Sequence, residues 1–251
     1  MTLPRIPNIP LNTGHPIPQL GLGTYKLSRE DTPRIVEFAL SKGCRHIDTA
    51  QMYGNESEVG QAIAASGIPR EDVFLTTKLD NSNHEPAAAR ESFAASLKLL
   101  GTDYVDLYYA HFDDPNTPLE ETVAVFEELR AAGKTRYVAL SNYAPQRIEQ
   151  WCAIAASMGA QPPVALQPHY NLLHRGDVEG PGNRGEVAAA HDMGLVPYFS
   201  LAAGFLTGKY RQGEAATTAR SSMVAEYLRP ECFAVVEALR EIAAAHATQP
   251  A

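Results

Sequence analysis

Short apolar or aromatic runs recur along the chain, and a polar residue closes almost every one. VFLTT, YVDLYY and YVALS are unbroken runs rather than strict alternations. Strands covered on both faces read this way, as those of parallel sheets do. Strands are therefore predicted at 19–25, 45–49, 73–79, 104–111, 137–141, 164–167 and 195–200. The closing residues are Asp48, Lys78, His111, Asn142, Gln167 and, different in character, Phe199, and the turn GLGTY around Thr24 opens the series. Successive spacings from Thr24 are 24, 30, 33, 31, 25 and 32 residues. A strand, a helix and two turns consume about 30 residues, so each period reads as one βα unit. The chemistry then gathers at the same end of every strand. The predicted fold is α/β, a (β/α)8 TIM barrel with its site at the carboxyl face of the strands.

Residues 6–20 alternate around Asn12-Thr13-Gly14 and predict a β-hairpin ahead of the barrel. Thr32-Pro33 opens a helix whose Ile35, Phe38 and Ala39 share a face and which Gly43 stops. Thr117-Pro118-Leu119-Glu120 combines a Thr cap, Pro at the first helical position and Glu three residues after the cap. Leu119, Val123 and Phe126 continue as an apolar stripe, and Ile148, Trp151, Cys152 and Ala155 form another. The stretch from Gly204 to Arg229 breaks the rhythm and reads as an irregular lid or ligand clamp, or else as disordered. Residues 230–247 read as the seventh helix, and an eighth strand is absent after it. No linker or charge block divides the chain, so a single barrel domain over 1–251 is expected.

Composition narrows the function. A net charge of −8 argues against nucleic acid, whose phosphates would be repelled. No apolar stretch reaches the roughly 18 residues of a membrane span, so no membrane partner is expected. Cys44, Cys152 and Cys232 lie far apart and form no CxxC, which indicates neither a disulfide framework nor a zinc site. No signal-peptide core opens the chain, and a reducing cytoplasm is the expected location.

The densest chemical signal is HIDTAQMY, in which Asp48 closes a strand and Tyr53 follows in the loop. With Lys78 and His111, four ionisable side chains would converge on one mouth. A phenol of ordinary pKa near 10 is a poor acid at neutral pH. A neighbouring buried ammonium is expected to lower that value, and a carboxylate beside it to keep the ammonium charged. A His at the rim can donate to a carbonyl oxygen. The set suits a general acid protonating a developing alkoxide. No nucleophile elbow, HExxH or Cys/His cluster accompanies it. Protonation without a nucleophile implies hydride from a bound cofactor.

LGLGTYKL, HIDTAQMYGNE, LTTKL, DLYYAH, ALSNY, LQPHYN and YFSLAAGFLTGKYR, in this order, resemble the aldo-keto reductase superfamily over essentially the whole chain. The resemblance implies a (β/α)8 barrel that binds NADPH or NADP+ across its carboxyl face without a Rossmann domain. It implies a small-molecule aldehyde or ketone substrate. Tyr53 would donate the proton, tuned by Lys78 and Asp48, with His111 orienting the carbonyl. Asp48, Ser141, Asn142 and Gln167 would face the nicotinamide, and Thr24 would join the cofactor contacts. Phe199 would stack on the ring where the family usually has Tyr, and Ser200 and Leu201 would begin the pyrophosphate loop. Tyr25, Met52 and Phe112 would wall an apolar substrate pocket suited to a planar carbonyl compound.

Residues 1–90 resemble bacterial diketogluconate-reductase-like members, whereas the text from GTDYVDLYYAH onward resembles a different bacterial branch. Natural divergence and recombination both produce such a mixture. Family members continue past this ending with an eighth βα unit, whose loop grips the adenosine 2′-phosphate, so the chain reads as C-terminally truncated. Preference for NADPH over NADH, the physiological substrate and the oligomeric state are not written in these residues. Two other readings stand beside reduction: a nucleotide-binding regulatory module, and a recombined barrel of impaired activity.

Overall fold

The structure is a computed structural model that describes residues 6–213 and 220–250. The predicted hairpin is present as β1 (Asn8–Pro10) and β2 (Pro16–Pro18), paired antiparallel. Seven further strands follow: β3 (Gly21–Gly23), β4 (His46–Asp48), β5 (Phe74–Leu79), β6 (Val105–Ala110), β7 (Thr135–Ser141), β8 (Ala165–Gln167) and β9 (Gly194–Leu195). They form one sheet in chain order, every neighbouring pair parallel. That is the strand sequence of a (β/α) barrel, and no eighth strand joins the sheet among the described residues. Every residue of β5 and β6 is buried, which explains why these strands read as continuous apolar runs.

Helices α1 (Asp31–Ser41), α2 (Glu56–Ala65), α3 (Pro86–Leu100), α4 (Leu119–Ala131), α5 (Pro145–Met158), α6 (Arg184–Ala190), α7 (Ser221–Val224) and α8 (Pro230–Ala245) connect or follow the strands. The stripes on α4 and α5 are buried as expected, with Trp151 1% exposed. A Cβ on Gly60 of α2 would lie 2.5 Å from the Leu100 carbonyl oxygen, so only glycine lets α2 approach α3 this closely.

Three local expectations are corrected. Helix α1 buries Val36 and Leu40 rather than the Ile35–Phe38 face, and Phe38 is 63% exposed. Val36 and Leu40, one turn apart, belong to the continuous core. Thr117 does not cap α4, because its hydroxyl donates to Asp114 at 2.7 Å and Pro118 takes the cap position. The last strand pairs only over Gly194–Leu195. Pro197 carries no N–H for a ladder, and Tyr198 makes only an isolated bridge with His169.

The chain groups into two compact units. One comprises Met1–Gln167 with Val187–Leu195, and the other Pro168–Glu186 with Val196–Ala251. The first holds the whole sheet and a continuous core that includes Ile47, Leu75, Phe93, Tyr108, Phe126 and Trp151. The second has its own core of Phe205, Leu206, Val224, Tyr227, Phe233 and Val236. The segment from 204 to 229 contains the end of a 3-10 stretch (Ala202–Thr207), helix α7 and a further 3-10 turn (Ala225–Tyr227), and residues 214–219 lie outside the described residues. No described helix is long and apolar enough to cross a membrane. The three cysteines are free and buried.

Candidate active site

Asp48 ends β4, Lys78 is the penultimate residue of β5, and His111 follows β6 directly. Adjacent parallel strands therefore deliver all three to one end of the sheet. Tyr53 comes from a 3-10 turn (Gln51–Tyr53) just beyond β4. The Lys78 ammonium, fully buried, forms an ion pair with the Asp48 carboxylate and donates to the Thr49 carbonyl at 2.9 Å. Its nitrogen lies 5.1 Å from the centroid of the Tyr53 ring and 5.7 Å from that of Tyr109. The Tyr53 ring meets the His111 ring edge-on at 5.8 Å and the Tyr25 ring at 5.0 Å. Phe112 lies beside His111, ring centroids 5.0 Å apart. Tyr25, Met52 and Phe112 are exposed at 36%, 47% and 38%, leaving apolar surface for a ligand to cover.

Burial dominates the electrostatics. It pushes the Lys78 ammonium below its ordinary value, opposed by the Asp48 charge and hydrogen bond and then by Glu56. Burial and the Lys78 charge push His111 down to about 3, against Asp48 and Asp80. His111 is therefore a neutral imidazole at physiological pH, with a buried Nδ1 that meets no hydrogen-bond partner. The expectation of an acidified phenol is corrected. Tyr53 sits well above its ordinary value, first through burial, then through the Asp48 and Tyr25 charges. Lys78 faces the ring without offsetting the desolvation. The phenol is thus protonated, and burial makes it a weaker acid than a free phenol.

Beside this group, Gln167 donates to the free Asp48 oxygen at 2.9 Å. Ser141 donates to the Gln167 carbonyl at 3.0 Å, and Asn142, left-handed at φ 60°, donates to the His111 carbonyl at 3.0 Å and to the Ser141 hydroxyl at 2.9 Å. Hydroxyl and carboxamide groups at the ends of β7 and β8 match the chemistry of a primary carboxamide, which both donates and accepts, so they fit a nicotinamide.

Thr24 behaves differently from its expected contact role. It is fully buried and its hydroxyl donates to the Asn55 carboxamide oxygen at 3.3 Å, which Thr49 also reaches at 3.1 Å. Asn55 returns a hydrogen bond to the Thr24 carbonyl at 3.0 Å. Thr24 thus anchors the loop carrying Tyr53. Phe199, Ser200 and Leu201 belong to the second compact unit. There Phe199 takes φ 55°, its carbonyl accepts from Asn171 at 3.1 Å, and its ring meets His169 edge-on at 5.6 Å. Ser200 and Leu201 are exposed. The described residues hold no group of three or more His, Cys, Asp or Glu able to bind a metal.

Sequence reading missed Gln51, Asn55 and Glu56. All three lie inside HIDTAQMYGNE, but most of their partners are tens of residues away, and only the unusual density of polar residues marked them.

Comparisons with known proteins give the chain its relatives. An aldo-keto reductase of Mycolicibacterium smegmatis is 48% identical over 143 residues, covering 57% of this chain and 52% of that protein. The chain thus spans about half the length of the curated relatives it matches most strongly. Among solved structures, a putative 2,5-diketo-D-gluconic acid reductase B superposes with TM-score 0.74 at 32% identity, covering 93% of this chain and 70% of that one. A Bombyx mori aldo-keto reductase in complex with NADP gives TM-score 0.69 at 27% identity, covering 94% of this chain and 80% of that one. The model of the Aldo/keto reductase family matches residues 19–251, and to that family this chain belongs.

Proposed function

We propose that the chain reduces aldehyde or ketone carbonyls to alcohols with NADPH as the electron source. The observation that carries this reading is the convergence of Tyr53, Lys78, Asp48 and His111 at the ends of three adjacent strands. NADPH, when bound, supplies the hydride, with its two electrons, to the carbonyl carbon. Tyr53 gives its phenolic proton to the carbonyl oxygen, so the product is a neutral alcohol and the phenolate is stabilised by the nearby Lys78 ammonium. Asp48 keeps Lys78 charged and in place. Neutral His111 donates one N–H to the carbonyl oxygen and fixes its direction. Ser141, Asn142 and Gln167 are assigned to the nicotinamide carboxamide. Tyr25, Met52 and Phe112 exclude water and favour planar, apolar carbonyl compounds. The reverse oxidation uses the same groups.

The test is Tyr53→Phe in the full chain, assayed with NADPH and a panel of aldehydes and ketones. Turnover is expected to fall by about 10²–10⁴-fold, the usual contribution of a positioned acid. Quenching of NADPH fluorescence should persist. Turnover equal to that of the unaltered chain would remove Tyr53 as the acid.

A further inference from the structure

The turn bearing Tyr53 is held by a buried polar strap in which Gln51 is the central member. Its carboxamide oxygen accepts the Asp80 backbone N–H at 2.7 Å. Its nitrogen donates to the Ser96 hydroxyl at 3.1 Å and to the Tyr108 hydroxyl at 3.4 Å. Ser96 in turn donates to Glu56 at 3.1 Å, and the other Glu56 oxygen accepts from Thr77 at 2.6 Å. Ser96, Thr77 and Tyr108 are fully buried and Glu56 is 3% exposed. Gln51 precedes Tyr53 by two residues, and Asp80 follows Lys78 by two. One side chain therefore ties the acid-bearing turn to the strand that carries the ammonium. Through Tyr108 it also reaches β6, which leads into His111.

Resting on the proposed reaction, we infer that Gln51 is a positioning residue that sets where the Tyr53 phenol stands relative to Lys78 and the substrate carbonyl. The turn itself is a single 3-10 stretch of three residues with no buried member and no side-chain cap. Such a turn has little stiffness of its own. Its side chains and the Asn55 contacts must therefore hold it. Both N–H groups and the oxygen of the Gln51 carboxamide are engaged, in three directions. Rotation of the turn breaks at least one of these bonds. Proton transfer demands hydrogen-bond reach between phenol and carbonyl. A misplacement of about 1 Å is enough to slow such a step about 10²-fold.

The experiment is a double-mutant cycle in the full chain with Gln51→Met and Tyr53→Phe. Methionine keeps the length of the side chain and deletes all three hydrogen bonds. Gln51→Met alone should lower kcat about 10²-fold, with NADPH affinity and melting cooperativity retained. On the Tyr53→Phe background it should add no loss to the residual rate, because the group it positions is gone. An unchanged kcat, or the same loss on both backgrounds, overturns the inference. Should Gln51→Met give no cooperative melt, Ser96→Ala runs the same cycle, with a smaller loss expected only when Tyr53 is present. Full turnover by Tyr53→Phe alone strikes at the proposed reaction itself, a different result from any of these.

Discussion

The two ends of the parallel sheet each bury a carboxylate against cations, and they do it differently. At the amino end, Asp106 of β6 is 2% exposed and meets Arg70 and Arg136, both at 3.0 Å. It also accepts the Leu75 N–H at 2.9 Å. Both guanidinium groups reach solvent, at 21% and 39% exposure, and arginine stays charged at any pH a protein meets. At the carboxyl end, Asp48 meets a single lysine that is fully buried and pushed toward losing its proton. The first arrangement satisfies its charges and is inert. The second leaves a titratable cation against a phenol, beside an imidazole with an unpaired nitrogen. A cleft of about 680 Å³ opens at the amino end, lined in part by His15, Arg45, Asp106 and Arg136, yet it contains none of the carboxyl-end residues. Cavity volume singles out neither end, since a second cleft of about 790 Å³ is lined in part by Asp113, Glu120 and Arg147. The chemistry of the ion pair separates them.

The comparison breaks most decisively at Lys78. Lys78→Met should lower turnover about 10²–10⁴-fold, since it removes the charge that stabilises the phenolate. It should also lower stability, because Asp48, 13% exposed, is left with Gln167 and no cation. Asp106→Asn should lower stability while leaving turnover unchanged. Removing one partner of a buried ion cluster costs about 3 kcal/mol, to be read by denaturant unfolding, with kcat of the folded fraction near normal. Equal activity losses in the two variants would erase the distinction.

A pH series sharpens it further. The folded His111 pKa of about 3 lies below the unfolded value near 6.5, so the unfolded chain binds the extra proton first. The stability His111 contributes is complete above about pH 6.5 and is lost as pH falls from there toward 3. Chemical unfolding at stepped pH should show a shallower decline in that window for His111→Gln. The smallest effect is expected at the rim, where Phe112→Ala should raise KM for an aromatic aldehyde several-fold with kcat little changed, because exposed apolar walls bind ground and transition states alike.

Much of the sheet was legible because buried parallel strands announce themselves as unbroken apolar runs. The residues closing them stood out as polar groups at a regular period. Asp48, Lys78 and His111 were legible for that reason, and Tyr53 by its place in the loop just after Asp48. The acidity of Tyr53 was not, because sequence shows that a cation is near but not how much water both groups lose. The buried face of α1 was misread because Ile35 and Phe38 are as apolar as Val36 and Leu40, and only tertiary packing decides between them. Thr24 and Gln51 illustrate a further limit: hydroxyls and carboxamides serve a ligand or a neighbouring loop equally well, and the partner is set by tertiary contact.

The hydrogen bond from Gln167 to Asp48 joins residues 119 positions apart. At translation rates of about 5–20 residues per second, Gln167 leaves the ribosome roughly 6–24 s after Asp48. During synthesis the first three strands of the sheet can pair while that carboxylate still lacks its last partner. This centre is therefore completed after the arginine-clasped end, whose last ion-pair partner, Arg136, emerges before Gln167.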